Sequence, residues 1–409
     1  MTFTGPRGQR QAATAFIFVT LVLDAMAGGI AYPVLPALVG KVGHTDAAHA
    51  AEVFGIFGTL FFVMQFFAAP VQGALSDSFG RRPVILISTL GMALDYVVMA
   101  LAPSLGWLYA GRMISGITAG SISAAYAYLI DVTPVENRTR IFGLAGAAMS
   151  VGTAIGPAIG GLAGGYDLRL PFWIAAALSV LNLLYGWFVL PESLKPETRA
   201  AFTWTRANPI GAMSGIVREY PVLVWWAVVI VLYNFALIGV NSIYAVYTTY
   251  RYSWGPRDIG FYLSGVGIWS IGAQSLLLPL ILKRFNDRQT MIVGSICMAV
   301  AIVAAGLAST GIEYAACAFF WIPGLVIAGA AINTLISQAV GPADQGRTQG
   351  AARSLNSIVG LAAPGIFALM LAASIRAGGK PLAGLPYIVS GILSLIGLAV
   401  AMRAPRTKS

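Results

Sequence analysis

Apolar residues run in long stretches along this chain, and polar residues gather in short intervals between them. A membrane-spanning helix needs roughly 20 mostly apolar residues. Segments of that kind lie at 13–40, 51–75, 83–102, 107–130, 140–164, 170–190, 219–250, 258–282, 289–309, 313–339, 347–374 and 383–402. The pattern predicts an all-α membrane protein with twelve transmembrane helices. The longest polar interval is 191–218, carrying Glu192, Lys195, Glu197, Arg199, Arg206 and Arg218. It divides the chain into a six-helix bundle over 1–190, a linker over 191–218 and a second six-helix bundle over 219–409.

Composition points the same way. Only 10% of the 409 residues are charged and 58% are hydrophobic, whereas a soluble domain carries about 25% charged residues. An ordinary soluble protein is therefore excluded. Arg7 and Arg10 before the first apolar run resemble the start of a signal peptide, but the run continues too long and reads as the first span. The two cysteines, Cys297 and Cys317, lie in apolar runs and form no CxxC motif, so they read as packing residues.

The net charge of +10 sits in short loops, where it reports orientation rather than nucleic-acid binding. Lys41, Arg169, Arg251, Arg257, Arg376 and Lys380 fall on one side of the twelve segments. Apart from Arg112 and Arg353, which lie within segments, all other basic residues fall on the side of the termini. That excess predicts both termini in the cytoplasm.

The halves repeat. Gly73-Ala-Leu-Ser-Asp77-Ser-Phe-Gly-Arg81-Arg82 follows segment 2, and Pro279-Leu-Ile-Leu-Lys283-Arg-Phe-Asn-Asp-Arg288 follows segment 8, 206 residues further on. Arg140-Ile-Phe-Gly143 and Gly156-Pro157 in segment 5 are echoed by Arg347-Thr-Gln-Gly350 and Ala363-Pro364 in segment 11. A same-direction duplication of a six-helix unit is the plan of major facilitator transporters.

Gly73–Val84, GALSDSFGRRPV, is the strongest motif. Its glycines, Gly73 and Gly80, permit a tight turn between spans. Asp77 stands where a carboxylate can face a helix N-terminus, and Arg81 and Arg82 can pair with acids at other helix ends, such as Asp131. These residues are candidates for a cytoplasmic gate; the plainer alternative is a positive-inside anchor.

The segment resembles the signature loop of the major facilitator superfamily. Gly111-Arg112-Met-Ile-Ser-Gly116-Ile-Thr-Ala-Gly120 resembles that family's second motif. Gly152-Thr-Ala-Ile-Gly156-Pro157-Ala-Ile-Gly160-Gly161 resembles a third, associated with the drug:proton antiporter branch. Within that branch, Leu23-Asp24-Ala25, Pro33-Val-Leu-Pro36, Met64-Gln65-Phe66, Ala69-Pro70, Leu94-Asp95-Tyr96 and Gln349-Gly350 are similar to tetracycline efflux pumps. Those pumps place a histidine in segment 8 and an acid in segment 9, where this chain has Ser270 and Met298; Gln274 is retained. Ser78 stands where those pumps carry an arginine.

Few charges lie deep in spans. Asp24 falls near the middle of segment 1, where an ionised carboxylate costs about 2.5–3.5 kcal/mol on insertion scales. It is the first candidate for a proton carrier, with Asp95 in segment 3 as auxiliary. Two readings stand for Arg112: it pairs with Asp24 or another buried acid and tunes it, or it snorkels to the outer interface. Arg353 likewise meets an anionic substrate or snorkels. The run Gly152, Gly156, Pro157, Gly160 and Gly161 carries no charge. Small residues let one helix press on another and proline permits a bend, so the run is a candidate sealing hinge.

Polar and aromatic positions in the spans supply candidate substrate contacts: Gln65, Tyr126, Asn234, Asn241, Trp269, Gln274 and Asn333. Asn182 and Asn356 are further polar residues there. Glu313 and the two histidines read as solvated. His44 and His49 are five apart, a poor metal spacing, and GxxxxGK[ST] is absent, so neither a metal site nor ATP-driven transport is indicated.

The expected protein is a secondary transporter, not an enzyme, that exports small amphipathic compounds in exchange for protons by alternating access. No cofactor is expected beyond the proton gradient, nor any nucleic-acid partner; the expected partners are a small-molecule substrate, protons and the bilayer, with function as a monomer. The alternative is a proton-coupled importer or uniporter of a small metabolite.

Overall fold

The computed structural model describes residues 7–44, 46–194, 196–200, 222–340 and 345–405. Among the described residues the chain is helical and no strand occurs. Most of the polar linker, with Arg206 and Arg218, lies outside the described residues, as do the side chains of Gln349 and Arg353.

The first span is bent. α1 (Arg7–Ala31) and α2 (Leu35–Gly43) meet at 45°, where the hydropathy pattern alone suggests one helix over 13–40. Pro33 has no N–H for the helical ladder, and Pro36 fits the first turn of the next helix, where a missing N–H costs nothing. α3 (Ala47–Phe79) and α4 (Arg81–Leu101) follow.

The fourth span is divided between α5 (Leu105–Thr118) and α6 (Ser121–Val132). At the break, Gln72 of α3 donates to the Ile117 carbonyl at 2.5 Å, and a side chain inserted into the ladder is a recognised cause of such breaks. Gly120 makes room for it, because a Cβ there would fall 1.7 Å from Gln72 Oε1. α7 (Arg138–Gly164) and α8 (Leu170–Val189) complete the first six spans.

The second half comprises α9 (Leu223–Tyr252), α10 (Pro256–Gly272), α11 (Leu278–Arg284), α12 (Asp287–Leu307), α13 (Gly311–Gln338), α14 (Gln345–Leu382) and α15 (Leu385–Arg403). A π turn, Ala273–Leu277, joins α10 to α11 within one span. Pro279 cannot donate to the carbonyl four residues back, which favours that local widening. Capping boxes at Asn286–Gln289 and Thr310–Glu313 fix the starts of α12 and α13. Glu313 is therefore a cap rather than merely a solvated acid.

Eleven described helices are long and apolar enough to cross a membrane, or twelve when the bent α1–α2 pair counts as one span. Phe188 and Ile312 are 80% and 84% exposed. Side chains of that kind are costly in water and at ease in lipid.

The chain forms two compact units. Unit 1 takes in Met1–His44, Leu60–Asn208 and Gly255–Gly267; unit 2 takes in Thr45–Thr59, Pro209–Trp254 and Ile268–Ser409. Compactness thus assigns parts of α3 and α10 to different units. In unit 1 the core gathers Phe16, Ile17 and Leu21 of α1 with Ile85 of α4 and Ala125, Tyr128 and Leu129 of α6. In unit 2, Tyr247 stacks 4.5 Å from Tyr387, whose hydroxyl lies 2.9 Å from that of Tyr314.

Candidate functional site

Unit 1 holds the buried carboxyls. Asp24 projects from α1 and is 7% exposed. Its Oδ1 accepts from Asn182 Nδ2 of α8 at 3.4 Å, and the Thr20 hydroxyl donates to Asn182 Oδ1 at 3.0 Å. Ser121 of α6 stands near the same carboxyl, while Oδ2 has no hydrogen-bond partner.

Asp95 of α4 is 1% exposed and accepts from Arg112 Nη2 at 3.1 Å. Of the two readings of Arg112, the structure therefore shows the pair with a buried acid, and that acid is Asp95. The guanidinium also lies 6.0 Å from the Phe61 ring centroid. Room for this pair comes from Gly111, since a Cβ there would fall 2.8 Å from Asp95 Oδ1. Asp95 Oδ1 and Arg112 Nε have no partner. Buried Tyr96 is in electrostatic range of Asp24, Asp95 and Arg112.

The signature loop forms a second cluster in unit 1. α3 continues to Phe79, so Gly73 lies inside a helix with open space around it and forms no part of the turn. The turn rests on Gly80 alone. Its φ of +115° belongs to the region glycine tolerates, and a Cβ would fall 2.2 Å from Glu192 Oε2.

The Glu192 carboxylate accepts from Arg81 N at 2.8 Å and Arg82 N at 3.2 Å. It thereby caps the start of α4, where orphan N–H groups and the helix dipole favour an anion. Arg81 reaches Asp77 at 2.5 Å and Asp131 at 3.1 Å, and Ser193 donates to the same Asp131 at 2.9 Å. Arg82 turns instead to the Trp187 carbonyl at 2.8 Å and lies 6.0 Å from the Trp187 ring. Asp77 faces Arg81 rather than serving as a helix cap.

The glycine–proline run of α7 presses on two neighbours within unit 1. Cβ atoms at Gly152, Gly156 and Gly160 would fall 2.3, 2.4 and 2.1 Å from the carbonyl oxygens of Val22, Met26 and Ile30. Spacings of four on both helices make a continuous backbone-to-backbone seam between α7 and α1. Pro157 fits against Gly29, and Gly161 faces the other way, where a Cβ would fall 2.8 Å from Gly260 Cα of α10.

The candidate substrate contacts are dispersed. In unit 1, Gln65 is half-buried on α3, and the Tyr126 hydroxyl lies 3.7 Å from Met149 sulfur. In unit 2, Asn234 donates to its own helix at Ile230, Trp269 donates to Phe319 O at 3.2 Å, and Gln274 reaches Ser270 at 3.4 Å in the π turn. Asn241 and Asn333 are exposed. Met298 is fully buried. No group of His, Cys, Asp and Glu able to hold a metal occurs among the described residues.

No motif marks the cap formed by Glu192 or the chain of Thr20 and Asn182 to Asp24. For Glu192 a signal existed: an acid immediately after span 6, close to where other spans start on the same side.

Eleven or twelve apolar spans among the described residues, with the ionisable side chains of Asp24 and Asp95 buried within them, define a polytopic membrane protein. Residues 17–364 match the Major Facilitator Superfamily. The chain is 35% identical to "Tetracycline resistance protein, class C" of Escherichia coli over 407 residues, covering 96% of each chain. It is 33% identical to the class D protein of Salmonella ordonez, covering 95% of this chain and 96% of that one. The crystal structure of a D-xylose-proton symporter shares the fold, with a TM-score of 0.76 at 15% identity over 97% of this chain and 98% of that one. The chain belongs to the Major Facilitator Superfamily and is a multi-pass membrane transporter homologous to the tetracycline-resistance proteins.

Proposed function

We propose that this protein exports a small, partly hydrophobic compound in exchange for protons, with Asp24 as the proton carrier. The observation that carries the reading is the buried Asp24 carboxyl, which keeps one oxygen without a hydrogen bond in a chain 35% identical to a tetracycline-resistance protein. An ionisable group inside a span belongs to an ion or substrate pathway by default.

Asp24 takes a proton when it is accessible from outside and yields it inside. Asp95 is the auxiliary group and Arg112 the tuning partner, held to each other as an ion pair. Asp77, Arg81, Arg82 and Asp131, with Glu192, tie the ends of α3, α4 and α6 to the segment after α8, and act as the gate on the cytoplasmic side. The α1–α7 seam is the hinge that resists leakage. The basic-residue bias supports cytoplasmic termini in a bacterial inner membrane. The proton gradient is the energy source, the chain acts as a monomer, and Gln65, Tyr126, Asn234, Asn241, Trp269, Gln274 and Asn333 supply the substrate contacts.

A resistance-profile screen with and without the gene, followed by transport of the scored compounds in inside-out vesicles, tests the reading. Proton-driven accumulation is expected for at least one amphipathic compound; accumulation of none contradicts export.

A further inference from the structure

Thr20, Asn182 and Asp24 form a polar chain that the transport reading does not itself require. Thr20 is 0% and Asn182 1% exposed, so neither amide nor hydroxyl is solvated and each must find its partners inside the protein. Thr20 has the option, common in helices, of returning its hydroxyl to the carbonyl four residues back. It donates instead across to α8, to Asn182 Oδ1 at 3.0 Å. With Oδ1 occupied, the amide presents Nδ2 to Asp24 Oδ1 at 3.4 Å. An N–H donor can serve a carboxylate but cannot accept from the O–H of the acid.

We propose that Asn182, oriented by Thr20, is a positioning residue that aims the Asp24 carboxyl and favours its charged form, so that the proton is released at the end of the inward step. The inference rests on the reading of Asp24 as the carrier. The other groups around Asp24 lie on α6, α4 and α7. α6 presents Ser121. α4 presents Tyr96, while Asp95 on the same helix is paired with Arg112 of α5. α7 offers α1 only the glycine seam along Val22, Met26 and Ile30. Ser121 shares this carboxyl with Asn182, but Asn182 is the partner whose own amide is oriented by a second buried side chain, Thr20.

The test is an infrared pH titration of the purified full-length protein in detergent, which needs no substrate. Asp24→Asn identifies the buried carboxylic-acid band by removing it. In Asn182→Leu the titration midpoint of that band is expected to move to higher pH by about one unit, the size set by one hydrogen bond to a charged group. Thr20→Val is expected to move it in the same direction by less, while Thr20→Ser, which keeps the hydroxyl, holds the wild-type midpoint. Thr20→Val is nearly isosteric and preserves the test should Asn182→Leu fail to fold. If Asp24→Asn removes the band but neither Asn182→Leu nor Thr20→Val moves its midpoint, the positioning role is overturned and the carrier reading stands. If Asp24→Asn removes no titrating band, both are overturned.

Discussion

Arg112 donates through Nη2 to Asp95 Oδ2 at 3.1 Å, and the acid it meets is almost fully buried. An ion pair of this kind contributes little net stability when intact, because desolvation offsets the Coulomb attraction, yet losing one member leaves a buried charge uncompensated. Arg112→Leu is expected to destabilise the protein by about 3–5 kcal/mol. The double variant Asp95→Asn with Arg112→Leu should recover much of that loss. Thermal unfolding of the detergent-solubilised variants checks this; strictly additive losses contradict the pairing.

Gly80 and Glu192 depend on each other. Gly80→Ala introduces a Cβ both at a positive φ and against the Glu192 carboxylate. A non-glycine residue in such a conformation costs about 1–3 kcal/mol. Glu192→Gln keeps the shape but weakens the cap on Arg81 N and Arg82 N, an expected loss of about 1–3 kcal/mol. Gly73→Ala, with open space around it inside a helix, should leave melting unchanged or raise it. Equal effects at Gly73 and Gly80 contradict this account of the loop.

The α1–α7 seam gives a graded series. Gly160→Ala places a methyl 2.1 Å from the Ile30 carbonyl oxygen, a backbone atom that cannot swing away. Overpacking of this kind costs about 1–3 kcal/mol. Gly143→Ala and Gly146→Ala on the same helix meet nothing within 4 Å, and exchanging glycine for alanine in an open helical position is neutral or favourable. Melting temperatures of the three variants in parallel, with wild type, separate the seam from the helix as a whole.

Much of this architecture is legible in the sequence because membrane spans write themselves in hydropathy. The span count and the pairing of Arg81 with Asp131 at span ends follow from local patterns. The bend at Tyr32–Val34 and the π turn at Ala273–Leu277 are marked only by Pro33 and Pro279, and other prolines, such as Pro157, sit inside unbroken helices. Gly73 and Gly80 look alike in the motif, and only the backbone conformation tells them apart. The partners of Asp24 are hidden for a different reason. Asn182 lies 158 residues away, and nothing in local spacing selects it from the other amides in the spans. Likewise Glu192 meets Arg81 across 111 residues, so its role depends on where α8 ends relative to where α4 begins.

Transport in proteoliposomes decides whether Asp24 couples protons to export. The most direct measurement compares wild type with Asp24→Asn in proteoliposomes, using one compound identified by the resistance screen, under two conditions. In the first an imposed proton gradient drives uptake; in the second labelled compound exchanges for unlabelled with no gradient. With Asp24 as the proton carrier, Asp24→Asn is expected to lose gradient-driven uptake while retaining exchange. Gradient-driven uptake at the wild-type rate in Asp24→Asn contradicts that role.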